Sequence, residues 1–128
     1  MNKATTLIAV VDDETSVCKA LKRLLRSMGF AVETFISGDN FLQSLRDHVP
    51  HCVVLDLHMP GVNGFDVQVR LASAGVRVPV IVITGYDTDE SRERVLEAGA
   101  AAYLRKPIDD RSLLDAIASA LGKEAESP

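Results

Sequence analysis

Two runs in this chain, CVVL at residues 52–55 and VIVI at residues 80–83, are apolar at every position. Runs this short are strands rather than helices, and a strand with one wet face would alternate apolar and polar residues. Strands without alternation are covered on both faces, as in parallel sheets with helices packed above and below. The rest of the sequence supplies those helices. Strands are expected near residues 7–11, 30–35, 52–55, 79–83 and 101–104, and helices near 15–28, 38–47, 64–74, 88–98 and 110–121. This fivefold βα alternation predicts a doubly wound α/β domain with right-handed crossovers. Residues 30–35 interpose Glu33 and Thr34, which suits a sheet edge.

In the first helical stretch Val17, Leu21, Leu24, Leu25 and Met28 recur at three- and four-residue steps, with Lys19, Lys22, Arg23 and Arg26 on the other side. Start and stop signals agree with the spacing. Gly29 follows the first helix, Ser37 can cap the second, Asp87 with Glu90 resembles a capping box before the fourth, and Gly122 is placed to end the fifth.

At 128 residues with 47% hydrophobic content, the chain suffices for one well-buried domain. The formal net charge of -4 and the lack of interleaved basic and aromatic residues argue against direct nucleic-acid binding. Cys18 and Cys52 have neither metal-ligand spacing nor a disulfide-rich pattern, and read as buried thiols of a reducing compartment. Met1 to Lys3 lead into only a few apolar residues, so no signal peptide is expected; with no membrane-length apolar stretch, a cytoplasmic location is. His48, His51 and His58 fall on loops and lack zinc spacing.

The polar residues at the strand ends carry the chemistry. Asp12 and Asp13 follow LIAVV, Asp56 closes CVVL, Thr84 closes VIVI, and Lys106-Pro107 follows AAYLR. In a doubly wound sheet ligands bind beyond the carboxyl ends of the strands, where these residues lie. Clustered carboxylates repel one another unless a cation neutralises them, and a hard divalent ion such as Mg2+ suits an all-oxygen set. Two acids, a third acid, a hydroxyl and an ammonium together fit phosphoryl transfer to a carboxylate. Each residue also has a plainer role to set against this: a helix cap for Asp12 and Asp13, a loop acid for Asp56, a strand end for Thr84, an exposed side chain for Lys106.

The strings VVDDE, VVLDLHMPGVNG, VIVITG and AAYLRKP resemble the acidic pair, phosphoacceptor loop, switch hydroxyl and lysine-proline of response-regulator receiver domains. The resemblance covers residues 5–121, leaving 122–128 as a polar tail or the start of a linker. It implies a flavodoxin-like sheet of order 2-1-3-4-5, with Asp56 the phosphoacceptor and Asp13 a direct Mg2+ ligand. Asp12 would act mostly through water, and the His58 backbone carbonyl would be a further ligand. Lys106 and Thr84 would contact the phosphoryl group, Pro107 would follow a cis peptide, and Tyr103, one residue before the end of the fifth strand, would be the aromatic switch residue. In a strand, however, Tyr103 could equally be packing. The implied donors are a sensor histidine kinase or a histidine phosphotransfer protein, docking on the first helix and the loop after the fifth strand. A downstream effector and a homodimer through the fourth-helix to fifth-helix face are further implied partners. Activity beyond Mg2+-dependent self-phosphorylation and autodephosphorylation is not expected. Val62 and Asn63 depart from the commoner loop residues without touching the chemistry.

Two other functional classes compete with this one, the second of them on the same fold. An aspartate-nucleophile phosphohydrolase would carry a second acid two residues after the first, where this chain has His58, and a cap insertion that is not visible. A phosphate-independent interaction module would normally lose some of the acids, which are all kept here. Acids also crowd the place where a flavin phosphate would need neutral backbone donors.

Overall fold

The computed structural model describes residues 5–126, with side-chain environments through Gly122. The expectations for Met1 to Lys3 and for the side chains of residues 123–128 lie outside it. In chain order the elements are β1 Leu7–Val11, α1 Thr15–Ser27, β2 Ala31–Phe35, α2 Gly38–Ser44, β3 Cys52–Asp56, α3 Gly64–Ser73, β4 Val80–Thr84, α4 Asp89–Glu97, β5 Ala102–Arg105 and α5 Asp110–Glu126. The sheet has the order β2-β1-β3-β4-β5, as the resemblance implied, and every strand pair is parallel. β3 and β4 are buried at every position, whereas β2 is half-buried throughout, in keeping with its place at the edge.

Side chains alternate across a sheet, so each strand divides its residues between two cores. Ile8, Val10, Cys52, Val54, Ile81 and Ile83 join Cys18, Leu21 and Leu25 of α1 and Leu113 and Ile117 of α5. Ala9, Val11, Val53, Leu55, Val80 and Val82 join Phe41 of α2, Val67 and Leu71 of α3 and Val95 of α4. On α1 the expected stripe holds at Leu21 and Leu25, with Val17 and Leu24 half-buried, but Met28 is 40% exposed. It lies beyond the last helical residue, just before Gly29 turns the chain at φ 95.

Three helix boundaries also differ from the sequence reading. α2 stops at Ser44 because Leu45, Arg46 and Asp47 tighten to three-residue hydrogen bonds onto Leu42, Gln43 and Ser44. Thr88, not Asp87, caps α4, its hydroxyl accepting the Ser91 N–H at 3.0 Å. Gly122 does not end α5: it is not among the positive-φ glycines, and the helix continues to Glu126. A glycine stops a helix by adopting the left-handed conformation, and its mere presence does not.

α4 is the most lightly attached helix. Its sequence DESRERVLE gives the core Val95 alone. Additional ties are a hydrogen bond from the Gln68 side chain to the Val95 carbonyl at 3.2 Å, and the Arg94 guanidinium 3.9 Å above the Phe65 ring.

Two glycines pin the loop between β3 and α3. A Cβ on Gly64 would stand 2.7 Å from the Asp56 carbonyl oxygen and 2.8 Å from the Leu57 Cα, and one on Gly38 would stand 2.7 Å from the Val62 carbonyl. The Gly64 N–H donates to the Leu57 carbonyl at 2.9 Å, and Asn63 forms a reciprocal capping box with Asp66. Since backbone rather than a flexible side chain opposes the methyl, Gly64→Ala is expected to cost about 2 kcal/mol. Urea unfolding checks this, and an unchanged midpoint would show that the loop gives way freely.

Candidate functional site

The strand registers carry the polar residues to one edge. Val11 is level with Leu55, Asp56 with Ile83, and Thr84 with Arg105, so Asp12, Asp56, Thr84 and Lys106 reach the carboxyl edge together. Strand parity then sorts them. Asp12 continues the Ile8–Val10 row, Asp56 the Cys52–Val54 row and Lys106 the Ala102–Leu104 row, all on the side of α1 and α5. Thr84 and Tyr103 continue the opposite rows, on the side of α3 and α4.

Asp12, Asp13 and Asp56 bring carboxylate oxygens within 4.8 Å of one another. Asp12 is fully buried, Asp56 is 3% exposed, and Asp13 opens to solvent. The Lys106 ammonium stands 2.9 Å from Asp12 Oδ2 and 3.6 Å from Asp56 Oδ1. The approach to Asp12 is too oblique for a hydrogen bond, so Oδ2 has no hydrogen-bond partner among the described residues. The other oxygen, Oδ1, accepts the Glu14 N–H at 2.9 Å. Asp12 therefore does help to start α1, but that role occupies one oxygen of several. A buried carboxylate oxygen without a donor, beside two more carboxylates, fits a hard divalent cation.

Burial first, and then the Asp12 charge, push the Asp56 carboxyl up to about 7 from its usual 3.8, against the opposing pull of Lys106. Burial works to lower the Lys106 ammonium, but Asp12, Glu14 and Asp56 outweigh it and the net shift is upward. The Lys106–Pro107 peptide is cis.

The Thr84 hydroxyl, fully buried, is turned to its own loop, donating to the Tyr86 carbonyl at 3.2 Å and accepting the Tyr86 N–H at 3.0 Å. Tyr103 lies within β5 two residues from its end, one residue deeper than expected, and packs half-buried against the α2–α3–α4 core. Its hydroxyl is buried without a hydrogen-bond partner among the described residues; burial and the nearby Asp87 carboxylate raise its pKa, and the Arg92 guanidinium lies 6.0 Å from its ring.

All three histidines are on loops. His48 pairs with Glu33 at 2.7 Å, His51 Nδ1 accepts the Leu7 N–H at 2.9 Å, and the His58 ring meets Tyr86 edge-on at 6.0 Å. Both cysteines are buried and free; Cys52 is pushed up to about 12 by burial, and the Cys18 thiol donates to the Asp12 carbonyl at 3.2 Å. Sequence reasoning missed Glu14, whose Oε1 accepts from Lys106 Nζ at 3.0 Å. Its only signal is that a third acid directly follows the pair.

The family model described as the response regulator receiver domain matches residues 8–118. The chain belongs to that family. The response regulator protein TmoT of Ectopseudomonas mendocina is 37% identical over 94% of this chain and 55% of its own length. A response regulator receiver protein from Burkholderia phymatum is 49% identical, with a TM-score of 0.81 over 92% of this chain and 96% of that one. A CheY-like receiver domain protein from Methanospirillum hungatei is 28% identical, with a TM-score of 0.88 over 95% of this chain and 98% of that one. The chain spans about half the length of the curated relatives it matches. Its function is that of a phosphoacceptor module in two-component signalling, a class that is generally non-enzymatic, and nothing in these likenesses supports a phosphohydrolase. Among the described residues no helix is long and apolar enough to cross a membrane.

The titration of Asp56 gives the receiver domain a stability signature. Between about pH 4 and pH 7 the folded state holds a proton on Asp56 that the unfolded state has lost. This contribution is full below pH 4 and disappears as pH rises through about 7. In metal-free buffer Asp56→Asn, which cannot ionise, is expected to be more stable than the parent at pH 8 by about 2 kcal/mol. The gap should shrink toward pH 5 in thermal melts; a gap independent of pH would contradict the assignment.

Proposed function

We propose that Asp56 is the phosphoacceptor of this receiver domain, that Asp12 and Asp13 hold Mg2+ with it, and that Lys106 and Thr84 contact the phosphoryl oxygens. The observation that carries this reading is the convergence of three carboxylates and the Lys106 ammonium on one small region at the carboxyl edge of the sheet. An Asp56 oxygen attacks phosphorus in line. The new O–P bond forms as the N–P bond of a phosphohistidine donor breaks, and the bonding pair stays on the imidazole nitrogen. When bound by the three carboxylates and the His58 backbone carbonyl, Mg2+ supplies the positive charge that lets one anion approach another. Lys106 adds a second positive charge on the α1–α5 side. The same site would support self-phosphorylation from small phosphodonors and autodephosphorylation.

An aspartyl phosphate adds nearly two negative charges and three acceptor oxygens. Thr84 would then leave the Tyr86 backbone for the phosphoryl group, and Tyr103, on the same face, would move inward and release α4. Reversing a two-state equilibrium almost completely takes about 5.5 kcal/mol, more than one neutral hydrogen bond supplies, so lysine, threonine and cation act together. A downstream effector and a homodimer face between α4 and α5 belong to the same reading. The donor, a sensor histidine kinase or histidine phosphotransfer protein, would dock on α1, where Lys19, Arg23 and Arg26 are exposed and Lys22 half-buried.

Incubation with acetyl phosphate and Mg2+ is expected to give one hydroxylamine-sensitive adduct by mass spectrometry, absent in Asp56→Asn and on chelation. Charge reversal of Arg23 and Arg26 should slow transfer from the phosphohistidine donor and leave labelling by acetyl phosphate intact. Persistent labelling of Asp56→Asn would refute the assignment.

The His58 and Tyr86 rings meet beside Asp56 and Thr84, where a closed pair would hinder the hydrolytic water. His58→Ala with Tyr86→Ala is expected to shorten the phosphoryl half-life by about tenfold, a barrier change of about 1.4 kcal/mol. An unchanged dephosphorylation rate would remove the rings from the mechanism.

A further inference from the structure

The residue that the phosphoryl-transfer reading leaves unused is Glu14. It stands at the N-cap of α1, a position normally held by a side chain that accepts a hydrogen bond from the first helical turn. Glu14 has the extended backbone of a cap, φ -87 and ψ 109, yet makes no side-chain cap bond. Its carboxylate reaches instead to the end of β5, where Oε1 accepts from Lys106 Nζ at 3.0 Å. Nor does Glu14 belong to the group of carboxylates close enough to share a cation, which comprises Asp12, Asp13 and Asp56.

The ammonium is thus held between an inner and an outer acid. It lies 2.9 Å from the fully buried Asp12, 3.0 Å from Glu14, whose side chain is 58% exposed, and 3.6 Å from Asp56. The two inner oxygens are also those a divalent cation needs. An ammonium settled on Asp12 and Asp56 would oppose that cation and cover the nucleophile. We propose that Glu14 is a positioning residue that holds Lys106 between itself and Asp12, 3.6 Å from Asp56 and short of a hydrogen bond to it, so that between phosphoryl-transfer events Asp56 stays open to cation and donor. This rests on the phosphoacceptor reading above. A phosphoryl group on Asp56 carries nearly twice the charge of Glu14 in a less exposed place, and draws the ammonium inward when it arrives.

Two plainer roles compete with this. An acid at a helix N-terminus is favoured by the helix dipole, and an exposed ion pair is often nearly neutral in energy. Neither passes through Lys106 to the cation, so a double-mutant cycle separates them from the proposal. The full 128-residue chain is compared with E14Q, K106M and E14Q/K106M. Mg2+ affinity is measured by calorimetry at fixed ionic strength, and adduct formation from acetyl phosphate across a Mg2+ series.

E14Q is expected to weaken Mg2+ binding about threefold to tenfold when Lys106 is present and less than twofold in the K106M background. The Mg2+ concentration for half-maximal adduct formation should rise in parallel, with the maximal rate unchanged. Equal losses in both backgrounds, or no loss in either, would overturn the proposal. Should K106M fail to fold, the Lys106 Cε resonance of E14Q decides: it should move away from the position of an exposed lysine as the ammonium settles inward, and an unmoved signal or a shift toward the exposed position would overturn the idea. An adduct absent from all four proteins would tell against the phosphoacceptor reading alone, because the Mg2+ and resonance readouts still report on Glu14.

Discussion

The contact between Lys106 and Asp12 is the one on which the site depends. Asp12 is sealed from solvent, and an isolated buried carboxylate would be strongly unfavourable without a cation beside it. Lys106 supplies that charge from the end of β5, an edge strand three places removed from β1 in the sheet. The contact therefore spans β1, β3, β4 and β5, and every intervening register must be right for it to form. Such a pair is poor evidence of stability, because desolvating both partners offsets much of their attraction. Its value is positional. It brings an ammonium to 3.6 Å from Asp56, short of a hydrogen bond, while one Asp12 oxygen stays free of hydrogen bonds.

A second consequence follows from strand parity. The residues proposed to carry out phosphoryl transfer point to the α1–α5 side, and those proposed to carry the response point to the α3–α4 side. Thr84 stands at the join, on the strand beside the nucleophile yet opposite in facing. Lys106, Asp12 and Asp56 thus face one side of the sheet and Tyr103 the other.

Much of this was legible in the sequence because burial on both faces leaves a plain mark. CVVL and VIVI admit few other readings, and once five such strands are parallel their carboxyl ends are the expected site. The family resemblance supplied the strand order, which no local pattern carries. What escaped was settled by tertiary context. Whether Gly122 stops a helix depends on a dihedral angle, and Met28 left the apolar stripe when the helix ended one residue sooner. The role of Glu14 was hidden for a different reason: its partner is 92 positions away, and a third acid after two acids carries no period. Parity itself was there to be read, since Asp12, Asp56 and Lys106 each lie an even number of residues from inward-facing neighbours on one side.

α4 gives the interior a single side chain, Val95, and is otherwise held by its margins. Nearly every other position on it can therefore change identity without disturbing the packing beneath. The exterior of that helix can be rewritten without reaching the acid-lined edge, because the two share no buried side chain. The part of the molecule that contributes least to the core is the part with the most room to diverge.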